Sequence, residues 1–283
     1  MLENLSVAQA LEHGRQALLN RSTTPNLDTQ LLLMKAADQT RAWVLAHPEA
    51  ELSATQSRQF QGDLAELAAG TALPYILGWW VFYGRPFKLN RRVLIPRPET
   101  ELLVEQALNW LQRVDGGRAL DLGTGSGCLA VTLAAERPSV RVWASDIERG
   151  ALQLARLNAS WYGVEERISF VQADLLSPLR GPFDVICANL PYIPTATLAD
   201  LKVARREPAR ALDGGQDGLS LIRQALEDLP RALAARGLAL FEVQPDQAAA
   251  VGEAARRVLP GAQVQVRRDL AGLERLVMIS LPE

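Results

Sequence analysis

The chain predicts an α/β protein, a mostly parallel, doubly wound sheet ending in an antiparallel hairpin, preceded by a small helical bundle. Three observations carry this. From about residue 98, short apolar runs alternate with helical stretches. The last two runs, AQVQVRRD (262–269) and ERLVMISL (274–281), are too close for a crossover helix, so they pair antiparallel. Before residue 70 the apolar residues recur only at helical intervals.

Taken in order, Ser6 with Gln9 and Ser53 with Gln56 have the spacing of capping boxes. Apolar positions follow at Val7, Leu11, Leu18, then Leu27, Leu31, Met34, then Phe60, Leu64, Leu67, and Gly70 is a natural stop. Four or so helices follow from this, with His13 and His47 on the surface or at helix ends. Residues 74–97 change character: WWVFYG and PFKL read as strands about a turn at Gly84-Arg85. The basic residues of this hairpin, Arg85, Lys88, Arg91, Arg92 and Arg97, read as a solvated face, with a partner-binding patch as the alternative. Seven strands come next: RALDL (118–122), VRVWASD (140–146), ISFVQAD (168–174), FDVICAN (183–189), GLALFEVQ (237–244) and the terminal pair. Helices CLAVTLAAER, GALQLARLNAS and LSLIRQALEDLPRAL separate them. The expected domains are residues 1–73, helical; 74–97, a hairpin linker; and 98–283, the sheet domain.

Composition narrows the function. Of 283 residues 48% are hydrophobic and 22% charged, ordinary for a globular protein and incompatible with wholesale disorder or a fibre. No apolar run approaches the roughly 20 residues needed to span a bilayer. The opening MLENLSVAQALEHGRQ lacks a signal-peptide pattern, so the cytoplasm is the expected location, with no membrane partner. Two cysteines suit a reducing compartment and exclude a Cys-rich metal site. A net charge of -2, with eight acidic against five basic residues in 1–72, gives no broad footprint for nucleic acid. Only two histidines occur, both in the first fifth of the chain. Chemistry in the sheet domain must proceed without histidine, which removes Ser-His-Asp triads and His-held catalytic metals.

The first sheet-domain strand ends in Asp121-Leu122-Gly123-Thr124-Gly125-Ser126-Gly127. Such a loop lets backbone approach a ligand and opens a helix N-terminus. The dinucleotide fingerprint needs a small residue at 128, where Cys128 stands. An acid followed by G-x-G-x-G is instead the spacing of S-adenosylmethionine-dependent methyltransferases, where the strand-end acid helps neutralise an ammonium; an ordinary tight turn is the alternative. Asp146 ends the next strand, 23 residues after Gly123, placed to accept two ribose hydroxyls, to cap the following helix, or both. Asp174 and Leu175, at the third strand end, suit an adenine ring: a carboxylate for its amine and an apolar wall. No metal is expected.

The fourth strand ends in Asn189-Leu190-Pro191-Tyr192. This can be turn chemistry alone. Beside a methyl donor it has a sharper meaning. A planar amino group is a poor nucleophile because its lone pair is delocalised. Two acceptors, the Asn189 side-chain oxygen and the carbonyl of residue 190, can grip both N–H bonds and stabilise the developing positive charge. Tyr192 can pack on the planar group.

Asp121–Gly127 with Asn189–Tyr192 resembles the class I methyltransferases of planar amino nitrogens, with their Asn-Pro-Pro-Tyr or Asp-Pro-Pro-Tyr. More specific is Val93-Leu94-Ile95-Pro96-Arg97-Pro98-Glu99-Thr100-Glu101, with Pro74–Gly78 and Phe82-Tyr83-Gly84 before it. Glu207–Leu212, Gly214–Leu219, Asp269–Gly272 with Arg275, and Asp28 with Leu31-Leu32-Leu33 extend the match. Together these resemble the HemK-type peptide chain release factor glutamine methyltransferases. The resemblance implies a Rossmann-like class I methyltransferase domain with seven strands behind a helical substrate-recognition domain. It implies S-adenosylmethionine as cofactor and class 1 release factors as partner, methylated on the glutamine amide of their Gly-Gly-Gln motif. Gly123, Thr124, Gly125, Ser126, Gly127, Asp146, Asp174, Leu175 and Asn189 would hold the cofactor, and Asn189, Leu190, Pro191 and Tyr192 the glutamine. Two departures stand out: Leu190 replaces the family's Pro, and Glu242-Val243-Gln244 replaces a common Glu-Ile-Gly, a neutral strand-end change. Other readings are a ribosomal-protein glutamine methyltransferase, a nucleic-acid adenine methyltransferase, which would need base flipping, and a cofactor-binding module without catalysis.

Overall fold

The computed structural model describes residues 5–114 and 116–281, and the chain divides into two compact units at Trp79/Trp80. The first unit is helical: α1 (Val7–Leu18), α2 (Pro25–Ala37), α3 (Arg41–Ala46), α4 (Ala54–Ala68) and the short α5 (Leu73–Leu77). Both expected capping boxes form, Ser6 with Gln9 and Ser53 with Gln56, each satisfying two N-terminal amides. Val7, Leu18, Leu32, Leu33, Val44 and Phe60 are fully buried and make its core. Gly70 follows α4 with φ of 104°, a left-handed stop. His13 is exposed, and His47 caps α3 with its ring stacked on Trp43 at 4.8 Å.

A hairpin follows, of β1 (Trp79–Phe82) and β2 (Arg85–Lys88). The turn lies at Tyr83-Gly84, one residue before the expected Gly84-Arg85. Both residues have positive φ, 50° and 71°, as a two-residue hairpin turn of matching twist demands, so Arg85 already belongs to the strand. The hairpin's basic residues do not form one solvated face. Arg85 pairs with Glu136, Lys88 lies over the Trp161 ring, and Arg97 pairs with Glu207.

Next come α6 (Glu101–Leu111), β3 (Arg118–Leu122), α7 (Cys128–Glu136), β4 (Arg141–Asp146), α8 (Arg149–Trp161), β5 (Ile168–Gln172) and β6 (Phe183–Ala188). They are followed by α9 (Thr195–Leu198), α10 (Ser220–Ala232), β7 (Leu233–Glu242), α11 (Ala248–Val258), β8 (Gln263–Arg268) and β9 (Glu274–Ser280). The seven strands order as β5-β4-β3-β6-β7-β9-β8, parallel except for β9, which runs antiparallel to β7 and β8. This is the mixed seven-stranded sheet expected. β7 starts four residues earlier than expected, because Leu233 still pairs with Phe183 across a register shift.

Central strands alternate their side chains between two apolar layers. Leu120 and Leu122 of β3, with Ala239 and Phe241 of β7, face the layer built by Leu226, Leu229 and Val251 of α10 and α11. Ala119, Leu238 and Leu240 face the layer of Leu103, Leu111, Leu129 and Leu133 from α6 and α7. The strand order reverses between β3 and β6, so the loops leaving their carboxyl ends diverge and leave a crevice there.

Candidate active site

A cavity of about 570 Å³ opens at this crevice. Its walls come from the loop after β3, the ends of β4 and β6, the segment after β5, residues 92–100, and the 208–213 loop. Gly123, Thr124, Gly125, Ser126, Asp146, Asp174, Leu175, Asn189, Leu190 and Pro191 all line it; Gly127 and Tyr192 do not.

The loop needs its glycines. Gly123, Gly125 and Gly127 all have positive φ, 75°, 54° and 80°. At Gly127 a Cβ would also sit 2.8 Å from the Ala155 Cβ, so this glycine seats α7 against α8 and serves the loop from behind. Asn158, buried on α8, ties the loop to the hairpin. Its Nδ2 donates to the Ser126 carbonyl at 2.8 Å, and its Oδ1 accepts from the Lys88 amide at 2.9 Å.

Asp121 is buried on the cavity wall, its Oδ2 accepting from the Thr124 hydroxyl at 2.6 Å and the Ala130 amide at 3.1 Å. Burial pushes its carboxyl up to about 7 despite these bonds. A cation in the cavity would offset that burial. Asp146 accepts from the Gly125 amide at 2.9 Å and the Glu148 amide at 2.8 Å. Both its oxygens are thus oriented and keep lone pairs for a ligand. Its carboxyl is also raised by burial. Asp146 does not cap α8: the N-cap is Glu148, without a side-chain cap bond, and Asp146 reaches only that residue's amide. Leu175 is buried with φ of 49°, beside the exposed Asp174. The donor set suits a ligand with a cationic group, a pair of hydroxyls and a flat ring.

Asn189 stands opposite, and its Nδ2 donates to the Thr100 hydroxyl at 2.9 Å. Leu190 is buried, its Cδ2 3.2 Å from where a Cβ on Gly123 would lie, so its side chain fills the space beneath the glycine loop. Tyr192 is half-buried and turned toward β7; its hydroxyl donates to Glu242 at 3.2 Å. In the sequence Thr100 stands only as part of a motif and Glu242 only as the unchanged first residue of a triplet whose other two depart. Their signal lay in topology: β7 ends beside β6 at the carboxyl edge of the sheet. Glu207 is another such residue. It accepts from the Ile95 amide at 3.0 Å and the Arg97 guanidinium at 2.5 Å, fastening the 93–97 segment on the cavity rim.

Comparison with known proteins bears on this cavity. Residues 9–78 match the PrmC N-terminal domain family, and residues 98–209 the methyltransferase small domain family. The release factor glutamine methyltransferase of Moorella thermoacetica is 39% identical over 274 residues, 96% of this chain and 97% of that protein. That of Bacillus subtilis is 37% identical, covering 96% of each. Among solved structures, the ribosomal protein L11 methylase of Lactobacillus delbrueckii subsp. bulgaricus aligns over 69% of this chain and 84% of its own. The TM-score is 0.51 at 20% identity, a likeness of fold.

Proposed function

The chain belongs to the release factor glutamine methyltransferases, and from that premise we propose how its residues divide the work. The activity is transfer of a methyl group from S-adenosylmethionine to a glutamine side-chain amide of a release factor. When bound, S-adenosylmethionine supplies an electrophilic methyl group on a sulfonium. Asp121 would hold its ammonium, Asp146 its ribose hydroxyls, and Asp174 with Leu175 its adenine, beside the loop from Gly123 to Ser126. The buried Asp121 carboxyl, with no cation hydrogen-bonded to it among the described residues, supports that fit.

Asn189 and the Leu190 carbonyl grip the two N–H bonds of the glutamine amide. They orient its nitrogen and stabilise the charge that develops on it. Pro191 holds residue 190 in extended backbone. Tyr192 does not pack on the planar group as expected: it lies off the cavity lining with its hydroxyl on Glu242. The substrate is the glutamine of the Gly-Gly-Gln motif of class 1 factors, the helical unit contacts the rest of the factor, and the setting is cytoplasmic.

The observation that carries this reading is that Asn189 lines the same cavity as the glycine loop with its Nδ2 already engaged, leaving Oδ1 to accept. Incubation with labelled S-adenosylmethionine and purified release factor, followed by mass mapping, tests it. Label on the motif glutamine is the expected result; label on another residue, or none, refutes the substrate.

A further inference from the structure

Glu242 ends β7 as a buried carboxylate, 1% exposed, and the mechanism above gives it no part. Its Oε2 accepts from the Thr100 hydroxyl at 2.7 Å and its Oε1 from the Tyr192 hydroxyl at 3.2 Å. A hydroxyl has one proton to give. Thr100 spends it on Glu242, so toward Asn189 its oxygen can only accept, and it accepts from Nδ2 at 2.9 Å. An ionised carboxylate cannot donate, so it fixes the direction of every bond in this chain. Were Thr100 released, its proton could go to Asn189 Oδ1 with the amide turned over. Asn189 would then face the cavity with an NH2 group, a donor set against a donor.

We propose that Glu242, acting through Thr100, is a positioning residue that fixes which way the Asn189 carboxamide faces, so that an oxygen and not an NH2 meets the substrate nitrogen. This rests on the reading of Asn189 as an acceptor for a planar amino group. Tyr192 belongs to the same lock, occupying the second carboxylate oxygen.

Ionised Glu242 keeps the lock; a protonated carboxyl can place its proton on the Thr100 side, and the Thr100 hydroxyl then turns its own proton to Asn189. Burial pushes this carboxyl up to about 7; the Thr100 and Tyr192 hydroxyls and nearby Arg275 oppose the shift, and Glu99 adds to it. Arg275 is itself shared with Asp269 at 3.2 Å. The rate of transfer with all sites filled should therefore fall as pH drops through that region.

The test is single-turnover methyl transfer to release factor at saturating cofactor from pH 5.5 to 9, for the wild type, Glu242→Gln, Thr100→Val, Thr100→Ser and Asn189→Ala. Cofactor affinity is measured by calorimetry for each. Glu242→Gln and Thr100→Val should lose tenfold or more in transfer with cofactor affinity within about twofold. Thr100→Ser, which keeps the hydroxyl, should return to within about threefold of wild type. The acid limb should vanish in Glu242→Gln. If that variant does not fold, the valine and serine pair at Thr100 decides. Wild-type transfer in Thr100→Val, or equal losses in Val and Ser, overturns the proposal, as does cofactor affinity falling in step with rate. Asn189→Ala separates the two layers. If it is inactive while Glu242→Gln and Thr100→Val transfer normally, only the positioning role fails. If it transfers normally, the reading beneath it fails.

Discussion

At the glycine-loop end of the cavity, polar groups find partners nearby in the chain: Thr124 on Asp121, Glu148 on Asp146, and Gly125 on Asp146 only 21 residues away. At the Asn189 end the partners are distant. Asn189 reaches Thr100 across 89 residues, and Thr100 reaches Glu242 across 142. One βαβ unit, β3–α7–β4, carries the glycine loop, Asp121 and Asp146. The Asn189 end exists only when α6, β6 and β7 have assembled in the right order. The donor end is thus a local device and the acceptor end a tertiary one, and substitutions at the two ends should fail differently.

The largest contrast comes from Asn189→Ala. Methyl transfer should fall by about 10²–10³, the scale set by loss of one preorganised polar group in an active site, with cofactor affinity nearly unchanged. Transfer at near wild-type rate in a discontinuous labelling assay would erase the distinction between the ends. Asp146→Ala should do the reverse, weakening cofactor binding at least tenfold, since hydrogen bonds to a charged group contribute about 1.5–3 kcal/mol each. An unchanged dissociation constant by calorimetry would remove Asp146 from the donor end.

A subtler effect concerns pH. Asp121 must be ionised to hold a cation, and its carboxyl in the free protein sits at about 7. Cofactor affinity should therefore rise several-fold from pH 6 to pH 7.5 and flatten above, and Asp121→Asn should lose the slope. The ligand-free protein should show the opposite sign. A carboxyl raised in the folded state binds more protons folded than unfolded, so its contribution to stability declines as pH climbs from about 4 to 7. Melting temperatures of wild type and Asp121→Asn across that window check it.

The smallest effect is at Leu190→Pro. Residue 190 contributes a carbonyl, and Pro191 already restrains it, so the added ring changes the backbone by about 0.4–1 kcal/mol. That corresponds to about two- to fivefold in rate. Loss of the leucine packed beneath Gly123 will lower the melting temperature. A hundredfold gain in single-turnover rate would mean that the proline supplies more than a carbonyl direction.

The same contrast explains what was legible in the sequence. The strand RALDL, its glycine loop and the acid at the end of the next strand lie in one short stretch, and their spacing alone specifies their geometry. Asn189 was legible because Pro-Tyr follows it. Thr100 and Glu242 were not, since no local pattern says that the end of α6's leading turn meets the ends of β6 and β7. The visible signal at that strand end was the neutral departure at Val243 and Gln244, whereas the unchanged Glu242 beside it is the residue buried under two hydroxyls. The hairpin turn was misplaced because Tyr83 adopts a left-handed conformation that its side chain does not advertise. The basic residues after it read as a solvated face, yet Arg85, Lys88 and Arg97 go separate ways once Glu136, Trp161 and Glu207 are brought near.

The pairing of β3 with β6 sets Leu122 level with Ala188, so Gly123 and Asn189 leave the sheet from the same rung. Adjacent strands lie about 4.8 Å apart, a spacing fixed by backbone hydrogen bonds and indifferent to side chains. The sheet thus works as a ruler between the donor and acceptor loops. The span of the methyl's jump is set there by backbone, whatever side chains line the two loops.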